Sequence, residues 1–349
     1  MIYYLLPFFS FLLSFSYFKK FFPKQLIYLF VYLLLLALLA VGTLRGEGIG
    51  SDYFSYFYVY RDKEDIEIGF SFLADLVKSC GGSFHTFLGV VFAVSISLKA
   101  FVFKKMSLYP LLSLMIYLGF WFLTYDMNGI RQGIAFAFTG LATYFVWKKK
   151  NVGYWINCAC ALLLHYSSVI FLPFIFLIHW KCSLRIILFI LGGAFLFALQ
   201  GGITNLLSSL VDVDSYLINK MFSYGKNEDF NENILFSFST LHRLVIFVMI
   251  YAAVPKMRID DRLKNIFLWG ATMNVGLYLL FSDIEIVATR ISLYYRFIEC
   301  LSLAAIPGAF SRLSNRFLAM TLLYIYVFWQ VYSTLSMPNN SLVPYYMCL

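Results

Sequence analysis

Apolar runs long enough to cross a bilayer recur from one end of this chain to the other, and that rhythm confines it to one fold class. About 20 apolar residues make a helix that spans the hydrocarbon layer. Lipid offers no partner to backbone N–H and C=O groups, so only helices or closed barrels span it. Runs this long and uniformly apolar select helices. With 61% hydrophobic and 13% charged residues, the chain is too apolar for a soluble domain. The pattern predicts an all-α, polytopic transmembrane helical bundle of about twelve spans. They run roughly over 2–18, 26–44, 84–103, 107–124, 131–147, 152–165, 167–180, 185–199, 237–254, 265–281, 291–309 and 317–335. The sixth and seventh read alternatively as one bent hairpin around His165–Ser168. Residues 1–349 read as a single integral membrane domain without internal repeats. The first run lacks a basic start and a small-residue cleavage site, so it reads as a retained span.

Orientation follows from the basic residues, which mark cytoplasmic loops. With the N-terminus outside, the inner loops collect Lys104, Lys105, the Lys148–Lys150 run, Lys181, Arg185, Lys256, Arg258, Arg262, Lys264, Arg312 and Arg316. Lys99 falls near the inner end of the third span, and Arg45 in the first outer segment. The inverse orientation would place the Lys148–Lys150 run outside. A net charge of +9, dispersed in short clusters, is therefore loop charge and no nucleic-acid surface. Two outer segments, about 45–83 and 200–236, are too long to be simple connections, so the functional face is expected outside. The six cysteines show no metal-ligand spacing and no disulfide framework.

Four arginines escape the loops. Arg131, Arg243, Arg290 and Arg296 fall within about two turns of the outer end of a span. Charge inside a span costs several kcal/mol and marks a pathway or a ligand. All four are Arg, whose planar fork suits phosphate or carboxylate. Arg131 stands beside Gln132 in the stretch from Asp126 to Ala135, with small residues following. For Arg243, Asp283, Glu285 and Glu299 are possible ion-pair partners. Arg290 and Arg296 lie about 9 Å apart along one helix, and Tyr294 can share the face of Arg290. Among the outer residues, Asp52-Tyr53-x-x-Tyr56 offers an acid and two rings for sugar hydroxyls and faces, or equally an interfacial aromatic belt. Glu67 opens an apolar segment, and His165 sits level with Arg131. His165, Glu67 and Asp52 are the candidates for proton transfer. No metal box or nucleotide loop is found.

At Asp52-Tyr53-x-x-Tyr56 and Glu67, Gly129-Ile130-Arg131-Gln132, Leu164-His165-Tyr166-Ser167-Ser168 and Arg290 through Arg296, the chain resembles the EpsG-like branch of the O-antigen polymerases, the Wzy proteins. The resemblance implies a GT-C-like glycosyltransferase in the bacterial inner membrane, with its active site facing the periplasm. It would join undecaprenyl-pyrophosphate-linked oligosaccharide repeat units, with no cofactor and no obligatory metal. Arg131, Gln132, Arg243, Arg290, Arg296, Tyr53, Tyr56 and Tyr294 would then bind substrate, and His165, Glu67 or Asp52 would serve as base. The expected partners are the lipid-linked donor and acceptor, the bilayer and a chain-length regulator protein. A lipid-linked oligosaccharide flippase fits the span count equally, and a membrane acyltransferase, which would want a His-Asp acid-base pair not found here, is a further alternative. A flippase, however, should carry polar groups through the midplane and show repeats.

Overall fold

The computed structural model describes residues 1–17, 23–62, 66–208, 234–338 and 340–348. It forms two compact units, one of Met1–Val169 with Cys300–Leu349, the other of Ile170–Glu299. Among the described residues there is no strand, only an isolated antiparallel bridge between Arg45 and Met347. The helices are α1 (Ile2–Ser14), α2 (Lys24–Thr43), α3 (Tyr53–Asp62), α4 (Ile68–Ser79), α5 (Phe84–Met106), α6 (Pro110–Gly119), α7 (Ile130–Trp147), α8 (Asn151–Leu164), α9 (Phe174–Leu177), α10 (Leu184–Leu199), α11 (Gly202–Ser208), α12 (Phe238–Ala253), α13 (Asp261–Leu280), α14 (Glu285–Ala305) and α15 (Leu313–Leu335).

Helix starts follow local chemistry. Ser83 caps α5 reciprocally with Thr86, Pro110 opens α6 where its missing N–H costs nothing, and Asp260 accepts from Leu263 to start α13. Every apolar run expected to span meets a helical element, but not always a regular one. Among the described residues, four helical stretches suffice by length and apolarity alone to cross a membrane: Lys24–Thr43, Phe84–Met106, Phe238–Lys256 and Leu313–Leu335. The run at 167–180 is not a continuous helix: a 3-10 stretch, Tyr166–Phe171, precedes the single turn of α9. Pro173, at the N-cap of α9, has no backbone N–H to continue a ladder and can only start a new turn. The run at 107–124 breaks after Gly119 and resumes as a π-helical turn, Phe122–Asp126.

The first outer segment holds α3 and α4 rather than a loop. The second, 200–236, lies mostly outside the described residues. In the first unit α7 packs on α5 and α8, α1 on α6 and α15, and α2 on α5; in the second, α13 packs on α10 and α12. Residues 341–348 close the first unit: Cys348 N donates to the Leu44 carbonyl at 2.9 Å and Gly46 N to that of Tyr346 at 2.9 Å.

Candidate functional site

Three sequence candidates meet in the first unit. Glu67 stands at the N-cap of α4, where an acid ordinarily accepts from the helix's first N–H groups, yet its side chain makes no capping bond. It turns instead to a guanidinium and an imidazole. Oε2 lies 2.5 Å from Arg131 Nη1, and Oε1 lies 2.7 Å from His165 Nδ1. Arg131 is the second residue of α7 and His165 follows the last residue of α8, where the backbone becomes extended. Gly69 permits the approach of α4 to α8, since a Cβ there would lie 2.8 Å from the Leu163 carbonyl oxygen.

The three side chains differ in depth: Glu67 is 5% exposed, His165 15% and Arg131 29%. Burial alone would raise the Glu67 carboxyl, but the hydrogen bond from His165 and the charge of Arg131 outweigh it and hold it at about 2. With Nδ1–H donating to that carboxylate, the lone pair of the imidazole lies on Nε2. Buried Arg131 Nε, Gln132 Nε2 and Ser168 Oγ have no protein hydrogen-bond partner. Unmade bonds of this kind are costly in a folded interior, and a ligand with several oxygens would satisfy them.

The other outer candidates are placed differently. Tyr53 and Tyr56 are buried, each beneath a guanidinium: Arg45 lies 5.5 Å from the Tyr53 ring and Arg131 5.8 Å from that of Tyr56. Their faces are occupied by protein cations rather than open to a sugar. Asp52 accepts from the neighbouring Ser51 at 3.2 Å and is not drawn to Glu67 and His165.

The remaining arginines belong to the second unit. The Arg243 guanidinium lies 3.6 Å from the Tyr278 ring centroid and donates to Asn274 Oδ1 at 3.1 Å and Ser292 Oγ at 3.3 Å. Asn274 in turn donates to Glu299 Oε2 at 2.5 Å, so an amide stands between the arginine and one of its expected carboxylates. Arg296, also buried, is electrostatically coupled to Glu299. Arg290 is half-buried, and Tyr294 is fully buried on the same helix.

Two cations that the sequence placed at a span end and in an outer segment are buried. Lys99, read as an inner-end cation, is 1% exposed and pairs with Asp126 at 2.6 Å. Arg45, read as an outer-segment residue, is 0% exposed and donates through Nη1 to the Met127 carbonyl. The available signal was Lys99 inside an apolar run, where an unpaired charge is not tolerated.

The protein-family model of the EpsG family matches the chain over residues 27–347. No curated protein and no solved structure matches the chain.

Proposed function

The chain belongs to the EpsG family, a family of polysaccharide polymerase-like proteins, and on that premise we propose that it joins undecaprenyl-pyrophosphate-linked oligosaccharide units into O-antigen or exopolysaccharide. In this reading it is a multi-pass glycosyltransferase of the bacterial inner membrane whose site faces the periplasm. The observation that carries the reading is the Glu67 carboxylate shared between Arg131 and His165. It couples a base to a cation, which is what transfer of a sugar from a pyrophosphate requires.

The acceptor hydroxyl oxygen attacks the anomeric carbon of the donor sugar, and its proton passes to His165 Nε2. The bond from that carbon to the pyrophosphate oxygen breaks, and the electron pair leaves with the lipid pyrophosphate. Glu67 holds the imidazole by Nδ1 and stabilises the imidazolium that forms. Arg131 stabilises the charge growing on the leaving group. Gln132 contributes a buried amide to the same ligand. Arg243, Arg290 and Arg296 are a second proposed anion-binding set within their own unit. The donor and acceptor glycans and the bilayer are the partners, with a chain-length regulator protein as a further one.

The test is a gel profile of surface polysaccharide after deletion of the gene in its own host and rescue with His165→Ala or Arg131→Ala at matched protein level. Wild-type rescue should restore the long ladder, and both variants should leave a single repeat unit on the core. Loss of the single unit as well, on deletion, would move the defect to export and overturn polymerisation.

A further inference from the structure

The short turn that delivers Arg131 is gripped on both sides by groups that take no part in the proposed reaction. Asp126, five residues before Arg131, is buried and binds Lys99 Nζ at 2.6 and 2.7 Å, Ser95 Oγ at 2.6 Å and the Tyr117 hydroxyl. The Met127 carbonyl accepts from Arg45 Nη1, and Asn128 Oδ1 accepts from Ser51 N at 3.0 Å. Beyond Arg131, the Gly133 carbonyl accepts from Ser95 at 3.3 Å. Gly133 also lies so tightly against the preceding turn that a Cβ would stand 3.1 Å from the Tyr125 carbonyl oxygen and 3.2 Å from Asp126 Cα. Gly50 makes the grip on Met127 possible, with φ at +98° and a Cβ position 2.4 Å from the Met127 oxygen.

A buried ion pair is a poor device for stability. Taking both charges out of water costs several kcal/mol per ion, and apolar replacements of such pairs are often as stable or more so. What a fully bonded pair supplies is a fixed geometry. Here Asp126 ends a π-helical turn, a geometry that the hydrogen-bond ladder of an α-helix would not itself select. Lys99, Ser95 and Tyr117 take up its carboxylate from α5 and α6, so the turn is held against both helices before α7 begins.

We propose that Lys99 and Arg45 are positioning residues for Arg131: two buried cations that fix the 126–131 turn, and through it the guanidinium facing Glu67, without touching substrate. The inference rests on the reading of Arg131 as a substrate-binding group.

The experiment is a double-mutant cycle on polymer formed per unit of protein, in the rescued host, with Lys99→Met, Arg131→Lys and the two combined. If Lys99 acts through Arg131, Lys99→Met alone lowers the rate at least tenfold and adds little to the loss caused by Arg131→Lys. Losses that multiply, or a Lys99→Met protein with wild-type rate, overturn the proposal. Where Lys99→Met leaves Asp126 unpaired and the protein does not accumulate, Lys99→Met with Asp126→Asn removes both charges. That neutral pair should accumulate normally and still be slow; wild-type activity in it overturns the proposal. A second readout is independent of turnover. Arg131→Cys, in a Cys80→Ser background, is labelled with a water-soluble maleimide and the adduct located by peptide mass. Addition of Lys99→Met should change the labelling rate at position 131 several-fold, and an unchanged rate overturns the positioning role. If Arg131→Lys itself polymerises at the wild-type rate, the functional reading falls, while the labelling comparison still decides the positioning.

Discussion

A carboxylate held at about 2 is a weak base near neutral pH, which is why the proposed reaction gives Glu67 the orienting role and His165 the proton. Asp52, the third candidate by sequence, lies apart from both. The sign of the Glu67 shift also fixes a pH dependence. Its folded value lies below the ordinary 4.5, so its contribution is complete above about 4.5 and is lost as pH falls toward about 2. Glu67→Gln should therefore be less stable than wild type at pH 7, by on the order of 2 kcal/mol, and the gap should close between pH 4.5 and 2. Thermal unfolding of the two purified proteins in detergent across that range checks this, and a pH-independent gap would refute it. For Arg131, the fork geometry matters as well as the charge. Arg131→Ala should lower polymerisation by about a hundredfold or more. Arg131→Lys should recover only part of that, since a point charge cannot bond carboxylate and substrate in one plane. Sequence made Arg131, His165 and Glu67 legible because each is a polar residue at the end of an apolar run. It left Tyr53 and Tyr56 undecided between sugar platforms and an aromatic belt, because ring burial depends on which cation lies above them. Arg45 stayed hidden for a similar reason: it sits just past the end of α2, where hydropathy reads loop, and the chain that covers it lies some 300 residues away.

The elements were legible wherever apolar length alone decides. The boundaries of α2, α5, α7, α8 and α10 fall within a few residues of the expected runs. They were not legible where short helices lie within a segment read as an outer loop, as α3 and α4 do. Nor does hydropathy register a broken run, and the one at 167–180 is broken ahead of Pro173. The pair α4 and α8 gives an element-scale prediction. Gly69 has no room for a side chain, because its Cβ position meets backbone rather than a movable group. Gly69→Leu should push α4 away from α8 at a cost of about 1–3 kcal/mol, and part Glu67 from His165. The expected result is a variant with a lower melting temperature and strongly reduced polymer, while Gly192→Ala, where a Cβ meets nothing within 4 Å, leaves both unchanged. Full activity in Gly69→Leu would show that the contact between the two helices does not set the site.

At the scale of the molecule, the first unit is discontinuous in sequence: residues 300–349 complete a body begun by residues 1–169. Its closing contacts are among the most non-local that a chain of 349 residues can make. Cys348 and Tyr346 bond the backbone at Leu44 and Gly46, the Tyr345 hydroxyl donates to the Val41 carbonyl at 3.0 Å, and the Tyr345 ring meets that of Tyr3 at 5.6 Å. Hydropathy carries no trace of this, because a tail of nine mixed residues looks like any exposed terminus. These bonds cannot form until residues 341–348 have been made, so the unit stays open while the chain before them is synthesised. They also surround the Arg45 guanidinium, whose Nε and Nη2 are buried without a protein partner and whose desolvation lowers it to about 10. Removing residues 341–349 should therefore do more than shorten the chain. It should expose the end of α2, let water reach Arg45, and loosen its hold on the Met127 carbonyl and the turn that leads to Arg131. The truncated protein is expected to insert into the membrane at normal levels, to melt several degrees lower in detergent, and to form little polymer. Limited proteolysis locates the effect: new cleavage should appear within residues 44–52, the stretch the tail had paired. A truncated protein that resists cleavage there and polymerises normally would show that the tail is an appendage rather than the closing element of the unit.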